Sequence, residues 1–292
     1  MEKNDRKAME LLLARHGFHF SKSMGQNFLI DREVPRAIAE ASMAGEDNGV
    51  LEIGPGIGAL SHELCTRAGR VVAVELDSAL LPLLGETMAE YENFEVVHAD
   101  ILKTDIPALV DERFGKLEPI VCANLPYNIT TPVLTALLRA KRFRSITVLV
   151  QKEVAQRLCA EPGTSAYGAF SVFMQYYTRP SLCFEVPPEA FMPAPKVTSA
   201  VVRAEVRETP MVQVADETFF FRVVNAAFAL RRKTLVNSLM TAFSATMSKE
   251  QVGECVRSCG IDPGIRGERL GLKEFAALAE ALAKASGVSS KK

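Results

Sequence analysis

Short runs of β-branched and apolar residues recur through the first half of the chain, separated by segments with helical spacing. These runs are Val50–Ile53, Arg70–Glu75, Phe94–His98, Ile120–Cys122 and Ser145–Val150. Such nearly continuous hydrophobic runs are typical of strands buried on both faces of a parallel sheet. The alternation of strand and helix therefore predicts an α/β fold, with a doubly wound, mostly parallel sheet and helices on both of its faces.

The strand pattern continues to about residue 207 and then fades. Two further strands are expected at Leu182–Val186 and Ser199–Val206, where they would complete one edge of the sheet. The proline-rich segment Pro187–Pro195 lies between them and is expected to be an ordered loop or a series of turns. Residues 216–285 show the spacing of several amphipathic helices. We predict a large domain over residues 1–207 and a small helical domain over residues 208–292.

The charge balance limits the parts of the surface at which a nucleic acid could bind. The chain has 292 residues, of which 24% are charged, and its formal net charge is −1. This composition is ordinary for a soluble globular protein and gives no sign of a uniformly basic surface, so any RNA contact must be local. Residues 139–144, Arg231–Lys233 and Lys291–Lys292 are candidate contacts, although each can equally be a solvated surface.

No metal or membrane site is expected. The six cysteines show no CxxC pair and the four histidines show no HExxH set. The amino terminus has only a brief apolar run, so neither a signal peptide nor a membrane span is expected. Free thiols fit a reducing cytoplasm best.

A glycine loop follows the first strand. Gly54, Gly56 and Gly58 fit the GxGxG pattern of class I methyltransferases, whereas Gly54, Gly56 and Ala59 fit a dinucleotide-binding fingerprint. Either type of loop lets the backbone approach a ligand closely. Glu75 ends the second strand and can accept hydrogen bonds from ribose hydroxyls in both cases. The glycine loop alone therefore does not distinguish the cofactor of a methyltransferase from a dinucleotide.

The third and fourth strands decide between the two cofactors. Asp100 follows the third strand and can accept from an adenine amine, with Ile101 beside it as an apolar wall. Each acid alone can be a helix cap. Together with the glycine loop and the polar aromatic segment after the fourth strand, however, they form one ordered set at successive strand ends. We interpret this set as a site for S-adenosylmethionine.

That segment is Asn124–Tyr127, and it suits the chemistry of an exocyclic amine. The side-chain carbonyl of Asn124 and the backbone carbonyl of Leu125 can both accept from the amine and direct its lone pair toward an electrophile. Pro126 fixes the turn, and Tyr127 can stack on the base. The alternative is an Asx-type turn with a packed tyrosine.

With these motifs in place, the chain resembles the ribosomal RNA adenine dimethyltransferase family over nearly its whole length. The motifs that carry the resemblance are residues 25–29, 52–58, 74–77, Asp100, 124–127, 151–158, 191–199, Phe228 and 231–233. The resemblance implies transfer of four methyl groups from S-adenosylmethionine to two adjacent adenosines in the 3′-terminal hairpin of small-subunit rRNA. It also implies an immature small ribosomal particle as the partner. We expect a monomer and no metal.

The resemblance also implies roles for single residues. Asn27, Leu29 and Leu76 would join the glycines, Glu75, Asp100, Ile101 and Asn124 in binding the cofactor. Phe191 would face Tyr127 across the target base, and a flipped base gains from such contacts. Its alternative is a hydrophobic plug beneath the proline-rich loop. Lys196, Arg231, Arg232 and Lys233 would meet phosphates.

Three other functions stay open. A macrolide-resistance methylase acting on large-subunit rRNA shares the motif set, although we expect a more basic chain there. A ribosome assembly factor could use the site only as a checkpoint. A nicotinamide-dependent oxidoreductase could use the same glycine loop, but no hydride-partner His, Lys or Tyr-x-x-x-Lys accompanies it.

Overall fold

The structure is a computed structural model that describes residues 6–18, 20 and 25–287. Lys291–Lys292, one of the candidate RNA contacts, lies outside these residues. The chain divides into two compact units. The described residues up to Ala155 form unit 1 together with Ser181–Val206, and unit 2 contains Gln156–Pro180 and the described residues from Arg207 onward.

Unit 1 is built on a seven-stranded sheet with the order β4-β3-β2-β5-β6-β9-β7. These strands are β2 (Asn48–Ile53), β3 (Arg70–Glu75), β4 (Phe94–His98), β5 (Glu118–Asn124), β6 (Ser145–Gln151), β7 (Thr178–Val186) and β9 (Ser199–Val206). The first five are parallel, and β9 runs antiparallel to β6. The predicted α/β class and the two late strands at one edge are confirmed.

Strand order explains where a ligand can bind. The chain winds outward from β2 through β3 to β4, and then returns to β5 on the other side of β2. A crevice opens at such a reversal, outside the carboxyl ends of the strands. Helix α2 (Glu33–Ser42) precedes β2, and the crossover helices between the parallel strands are α3 (Ala59–Cys65), α4 (Leu81–Thr87), α5 (Ile106–Phe114) and α6 (Thr130–Ala140).

The central strands are held by apolar packing on the sheet faces. Val50 in β2 and Val71 in β3 are fully buried against Ile38 of α2 and Leu64 of α3. Burial of one such side chain stabilises a fold by about 1.5–3 kcal/mol relative to exposure. The carboxyl ends of β2 to β5 are thus fixed by a continuous core beneath them.

A second, two-stranded sheet was not expected from the sequence. Strand β1 (Phe28–Leu29) pairs antiparallel with β8 (Phe191–Met192), inside the proline-rich segment. The Ile30 amide extends this pairing by donating to the Ala190 carbonyl at 2.8 Å. Helix α1 (Arg6–Arg15) precedes β1, and its Leu12 and Leu13 share a buried cluster with Phe28.

Unit 2 is helical. Its helices are α8 (Ala169–Tyr177), α9 (Glu217–Phe228), α10 (Leu235–Phe243), α11 (Lys249–Ser258) and α12 (Leu272–Ser286), and α7 (Lys152–Leu158) runs across the division between the units. Asp216 caps α9 by accepting from the Phe219 amide at 2.9 Å. Tyr176 of α8 stacks on Phe220 of α9, with ring centroids 5.2 Å apart, so these two helices share an aromatic core.

Candidate active site

A pocket in unit 1 opens at the carboxyl ends of β2, β3, β4 and β5. It brings together the predicted residues Asn27, Leu29, Gly54, Gly56, Glu75, Leu76, Asp100, Ile101, Asn124, Leu125, Pro126 and Tyr127. Three predicted residues of this unit, Gly58, Phe191 and Lys196, are not in its lining. The pocket therefore assembles residues from every strand end that the sequence pattern had singled out.

The glycine loop has the backbone conformation that glycine favours. Gly56 has a φ of +62° and lies against the ring of Phe28, so that a Cβ there would come within 3.1 Å of the ring. Gly58 has a φ of +88°, and a Cβ there would meet the sulfur of Met88 at 2.8 Å. Gly58 therefore serves the packing of the loop and the start of α3, whereas Gly54 and Gly56 line the pocket.

Glu75 is held with its carboxylate at the pocket. It is 5% exposed and accepts from the Asp77 amide at 2.8 Å and from the Gly56 amide at 3.4 Å. Burial raises the pKa of Glu75, and the two amide hydrogen bonds oppose that rise because they stabilise the charged form. The acid thus joins the end of β3 to the glycine loop.

Asp100 lies at the next strand end in a turn. Its Oδ1 accepts from the Leu102 amide at 3.0 Å, while Oδ2 lies 3.5 Å from Lys103 Nζ. The side chain thus stabilises a local turn, whereas the next helix is capped by Asp105, so Asp100 is not the helix cap of the alternative interpretation. It also lines the pocket. Ile101 is 5% exposed and Leu76 is 50% exposed, which gives this end of the pocket apolar surface beside the acids.

Asn124 has its amide oriented by a backbone contact. Its Nδ2 donates to the Asn27 carbonyl at 3.1 Å, which leaves Oδ1 as the remaining polar atom of the side chain. Leu125 follows at the edge of the pocket, and its own amide donates to the Leu149 carbonyl of β6 at 3.2 Å. The positions of the Asn124 side chain and the Leu125 backbone therefore depend on two neighbours, Asn27 on one side and strand β6 on the other.

Tyr127 is half-buried, and its ring borders the pocket. Its hydroxyl lies 2.6 Å from Ser199 Oγ at the start of β9. Burial raises the pKa of the Tyr127 phenol, so the hydroxyl is neutral at ordinary pH. The Ser199 contact fixes one edge of the ring.

The segment before β1 contributes more than its side chains. Gly25, with a φ of +63°, lies against Asn128, and Gln26 donates to the Asp77 carboxylate at 2.8 Å. Asn27 donates its Nδ2 to the Gly25 carbonyl at 3.1 Å. Leu29, although it borders the pocket, is 3% exposed and belongs to the core cluster. These contacts hold the segment across the pocket.

Phe191 and Lys196 are placed apart from the pocket lining. Phe191 is 2% exposed, pairs through its backbone with Leu29, and packs among Ile38, Leu60 and other residues of the core cluster. This burial matches the hydrophobic plug of the alternative interpretation, and a part in holding the base stays a prediction. Lys196 is exposed directly after Pro195, where the proline-rich loop leads toward β9.

Glu52 was not among the residues predicted for the site. It lines the pocket at 1% exposure and accepts from Ser61 Oγ at 2.6 Å. Burial is the main cause that raises the pKa of Glu52 to about 8, and the charge of Glu75 adds to the rise. A carboxyl in the middle of the otherwise apolar run Val50–Ile53 was the signal that could have identified it.

The candidate RNA contacts differ in how they are paired. In the first cluster, Arg142 forms a two-pronged ion pair with Asp111 and Arg144 pairs with Glu118 at 3.0 Å. In unit 2, Arg231 Nη2 donates to the Ser165 carbonyl at 2.7 Å. Arg232 and Lys233 are exposed beside it. Arg139 and Lys141 of the first cluster are exposed as well, so both clusters present charge to solvent.

The described residues hold neither a metal-ligand cluster nor a membrane span. Within residues 6–18, 20 and 25–287, no group of three or more His, Cys, Asp or Glu side chains could hold a metal ion. Over the same part of the chain, no helix is both long and apolar enough to cross a membrane.

The comparison with protein families decides what kind of protein this is. The model of the ribosomal RNA adenine dimethylase family matches residues 17–265. The chain belongs to that family. It is 48% identical to a ribosomal RNA small subunit methyltransferase A from Geobacillus thermodenitrificans (strain NG80-2), over 93% of this chain and 94% of the relative. It is 46% identical to the protein of the same name from Shouchella clausii (strain KSM-K16), over 93% and 92%.

Solved structures agree on the fold. A 23S rRNA methyltransferase, ErmE, superposes with a TM-score of 0.68 at 28% identity, covering 88% of this chain and 99% of that one. A dimethyladenosine transferase from Plasmodium falciparum superposes with a TM-score of 0.75 at 22% identity, covering 88% and 98%. The class I methyltransferase fold predicted for this family member is thus confirmed.

Proposed function

We propose that this family member uses S-adenosylmethionine to dimethylate the exocyclic amines of two adjacent adenosines in the 3′-terminal hairpin of small-subunit rRNA. Relatives named for small-subunit methylation, at 46–48% identity over most of the chain, support the choice of rRNA. The observation that carries the chemistry is Asn124, which lines the pocket and whose Nδ2 donates to the Asn27 carbonyl, so that Oδ1 is the acceptor and has no donor among the described residues.

S-adenosylmethionine, when bound, supplies a methyl group on a positively charged sulfur. The chain's own part is to present the amine, which is a poor nucleophile because its lone pair is delocalised into the adenine ring. Asn124 Oδ1 and the Leu125 carbonyl would each accept from one N–H and so direct the lone pair toward the methyl group. The proton can leave to water after transfer, so no side chain must act as a general base.

The pocket also fits the cofactor that this reaction needs. Glu75 presents a carboxylate, already oriented by two backbone amides, to the ribose hydroxyls. Asp100 Oδ2, which lies 3.5 Å from Lys103 Nζ, would accept from the adenine amine beside the apolar surfaces of Leu76 and Ile101. Gly54 and Gly56 let the backbone approach closely. Asn27 and Leu29 would cover the pocket from the opposite side.

The target base would be held by Tyr127, whose ring borders the pocket. Aromatic contacts repay part of the energy needed to unstack a base, about 1–3 kcal/mol for each stacked base. Phe191 would have to leave its buried position to face Tyr127. Pro126 sets the turn between the Leu125 carbonyl and that ring.

The RNA would be positioned by exposed cations. Lys196 directly after the proline-rich loop and Arg232 and Lys233 in unit 2 can meet phosphates, which place the RNA without reading its sequence. Because the whole chain carries a net charge of −1, a preformed surface on an immature small ribosomal particle suits it better than naked RNA. We propose that it acts there as a cytoplasmic monomer.

The test is incubation with under-methylated small ribosomal particles and a labelled methyl donor, followed by mapping of the modified nucleotides. We expect label on two adjacent adenosines near the 3′ end of small-subunit rRNA, and loss of most of it with Asn124→Ala. Label in large-subunit rRNA would support the macrolide-resistance alternative. Tight particle binding without any methyl transfer would support the assembly-factor alternative.

A further inference from the structure

An exposed loop of unit 2 is joined to the basic turn that carries Arg231. The loop, residues 161–168, connects α7 to α8, and its residues 161–165 are all exposed. The basic turn, residues 229–234, connects α9 to α10. Arg231 Nη2 donates to the Ser165 carbonyl at 2.7 Å across 66 positions of sequence. A side chain that the sequence assigns to phosphate contact is thus already engaged with its own chain.

Other contacts anchor the loop to the rest of unit 2, and a short turn closes within it. The Gly163 amide donates to the Glu268 carbonyl at 2.7 Å, and the buried Tyr167 hydroxyl donates to the Leu270 carbonyl at 3.0 Å. Within the described residues, Ser165 takes part in one hydrogen bond, which its carbonyl accepts from Arg231. The Thr164 amide donates to the Glu161 carbonyl and the Tyr167 amide to the Thr164 carbonyl, both at 3.2 Å. Loss of the Arg231 bond would therefore loosen this turn at Ser165 while the anchors at Gly163 and Tyr167 stay in place.

The basic turn is itself well fixed, so it can act as a support. The Lys233 amide donates to the Leu230 carbonyl at 2.9 Å, and the Leu235 amide donates to the Ile265 carbonyl at 2.7 Å. Ser238 Oγ also donates to Leu230 at 3.2 Å. Arg231 therefore extends from a backbone that is fixed on both sides of it, and its planar guanidinium loses less entropy for each hydrogen bond than a lysine ammonium would.

The loop has the chemistry of an RNA-facing surface. Its outer part, Gly163–Thr164–Ser165, is small and polar, so a sugar–phosphate backbone could approach it closely. It lies between two guanidinium groups, because Arg269 Nη1 would come within 3.0 Å of a Cβ placed at Gly163. A carbonyl partner leaves the charge of Arg231 intact, unlike the carboxylate that pairs with Arg142.

We infer that Arg231 is a positioning residue that holds loop 161–168 as part of the RNA-backbone-binding surface beside Arg232 and Lys233. The inference rests on the proposed function for the identity of the RNA partner. The contact between Arg231 and Ser165 does not depend on that function. Different roles are thus assigned to neighbouring cations of the same turn. Arg232 and Lys233 supply charge to phosphates, whereas Arg231 supplies order to a second segment that meets the RNA.

The test compares Arg231→Ala, Arg231→Lys and Arg232→Ala in the full chain. Hydrogen exchange of the free protein reports on the loop through the amides of Thr164 and Tyr167, whose bonds lie within the turn. We expect exchange about tenfold faster in Arg231→Ala, because a charged hydrogen bond is lost. Arg231→Lys should give a similar increase, since a shorter and more strongly hydrated ammonium replaces the planar fork. Arg232→Ala should leave exchange unchanged.

Affinity for under-methylated small particles is then measured at several salt concentrations. We expect Arg231→Lys to lose affinity about as much as Arg231→Ala, although it keeps the charge. Arg232→Ala should lower the slope of log affinity against log salt by about one. Unchanged loop exchange in Arg231→Ala would overturn the inference, as would wild-type affinity in Arg231→Lys with a released loop. If Arg232→Ala alters neither affinity nor slope, the proposed RNA-binding surface fails instead.

Discussion

The pocket of unit 1 and the basic turn of unit 2 hold their functional groups in different ways. In the pocket, Asn124 and Glu75 are each fixed by backbone groups, and Glu75 is almost fully buried. In the basic turn, Arg232 and Lys233 are exposed to solvent. Buried, oriented groups act strongly at one place, whereas exposed charges are screened and act in small additive steps. Substitutions in the pocket should therefore have larger and more specific effects.

The largest effect is expected from Asn124→Ala. It removes one of two proposed acceptors for the amine, and a single preorganised polar group in an active site contributes about 10²- to 10³-fold to kcat. Because Asn124 is held by Asn27 rather than by the core, folding should persist. Turnover and calorimetric cofactor affinity are measured together, and affinity should change little. Unchanged turnover would remove Asn124 from the chemistry.

The next effect is on the free energy of unfolding, which should depend on pH through the buried carboxyl of Glu52 and not through exposed carboxyls. The folded pKa of Glu52 is raised from 4.5 to about 8, so the folded state keeps a proton that the unfolded state has lost in this interval. The contribution of Glu52 to the free energy of unfolding is therefore greatest below about pH 4.5, and it declines as the pH rises toward 8. A difference of one in pKa between the folded and unfolded states corresponds to about 1.4 kcal/mol, so the decline should reach a few kcal/mol.

Glu52→Gln should remove most of that decline, because an amide stays neutral and can still accept from Ser61. Denaturant unfolding of wild type and variant across this pH interval measures it. The control is Glu161→Gln on the exposed loop of unit 2, which should follow the wild-type profile. Parallel profiles for wild type and Glu52→Gln would show that the Glu52 carboxyl is not buried as described.

A smaller effect is expected from Glu75→Gln. The carboxylate is oriented by the Asp77 and Gly56 amides, and its charge would strengthen hydrogen bonds from ribose hydroxyls. Loss of a charged hydrogen bond corresponds to roughly ten- to hundredfold in the cofactor dissociation constant. Calorimetry measures this, and kcat at saturating cofactor should be close to wild type. Equal dissociation constants would refute the role.

Much of unit 1 could be predicted because its information is local. The strand runs were recognisable from their β-branched residues, and parallel strands bring their carboxyl ends to one edge of a sheet. Gly54, Glu75, Asp100 and Asn124 therefore reach one pocket although they span 70 positions of sequence. Once the strands are parallel neighbours, no further long-range contact is needed to bring these residues together.

Long-range pairings escaped prediction. Nothing in Phe28–Leu29 indicates that it pairs with Phe191–Met192, because two-residue strands carry no periodic signal. The same holds for the Asn124 contact with the Asn27 carbonyl, which involves a backbone atom and no particular side chain at residue 27. Arg231 shows the converse in unit 2. Its charge suggested phosphate, and only the structure reveals the Ser165 carbonyl as its partner.

The smallest effect in the pocket is expected from Tyr127→Phe. The ring is proposed to stack on the base, while the hydroxyl binds only Ser199 within the described chain. Phenylalanine keeps the stacking surface and loses one neutral hydrogen bond, about 1 kcal/mol. Turnover should fall less than about tenfold, and Ser199→Ala should match it because it removes the same bond from the other side. Tyr127→Ala should lose considerably more. If Phe and Ala at this position reduce turnover equally, the hydroxyl rather than the ring would be the important group, and the stacking role would have to be given up.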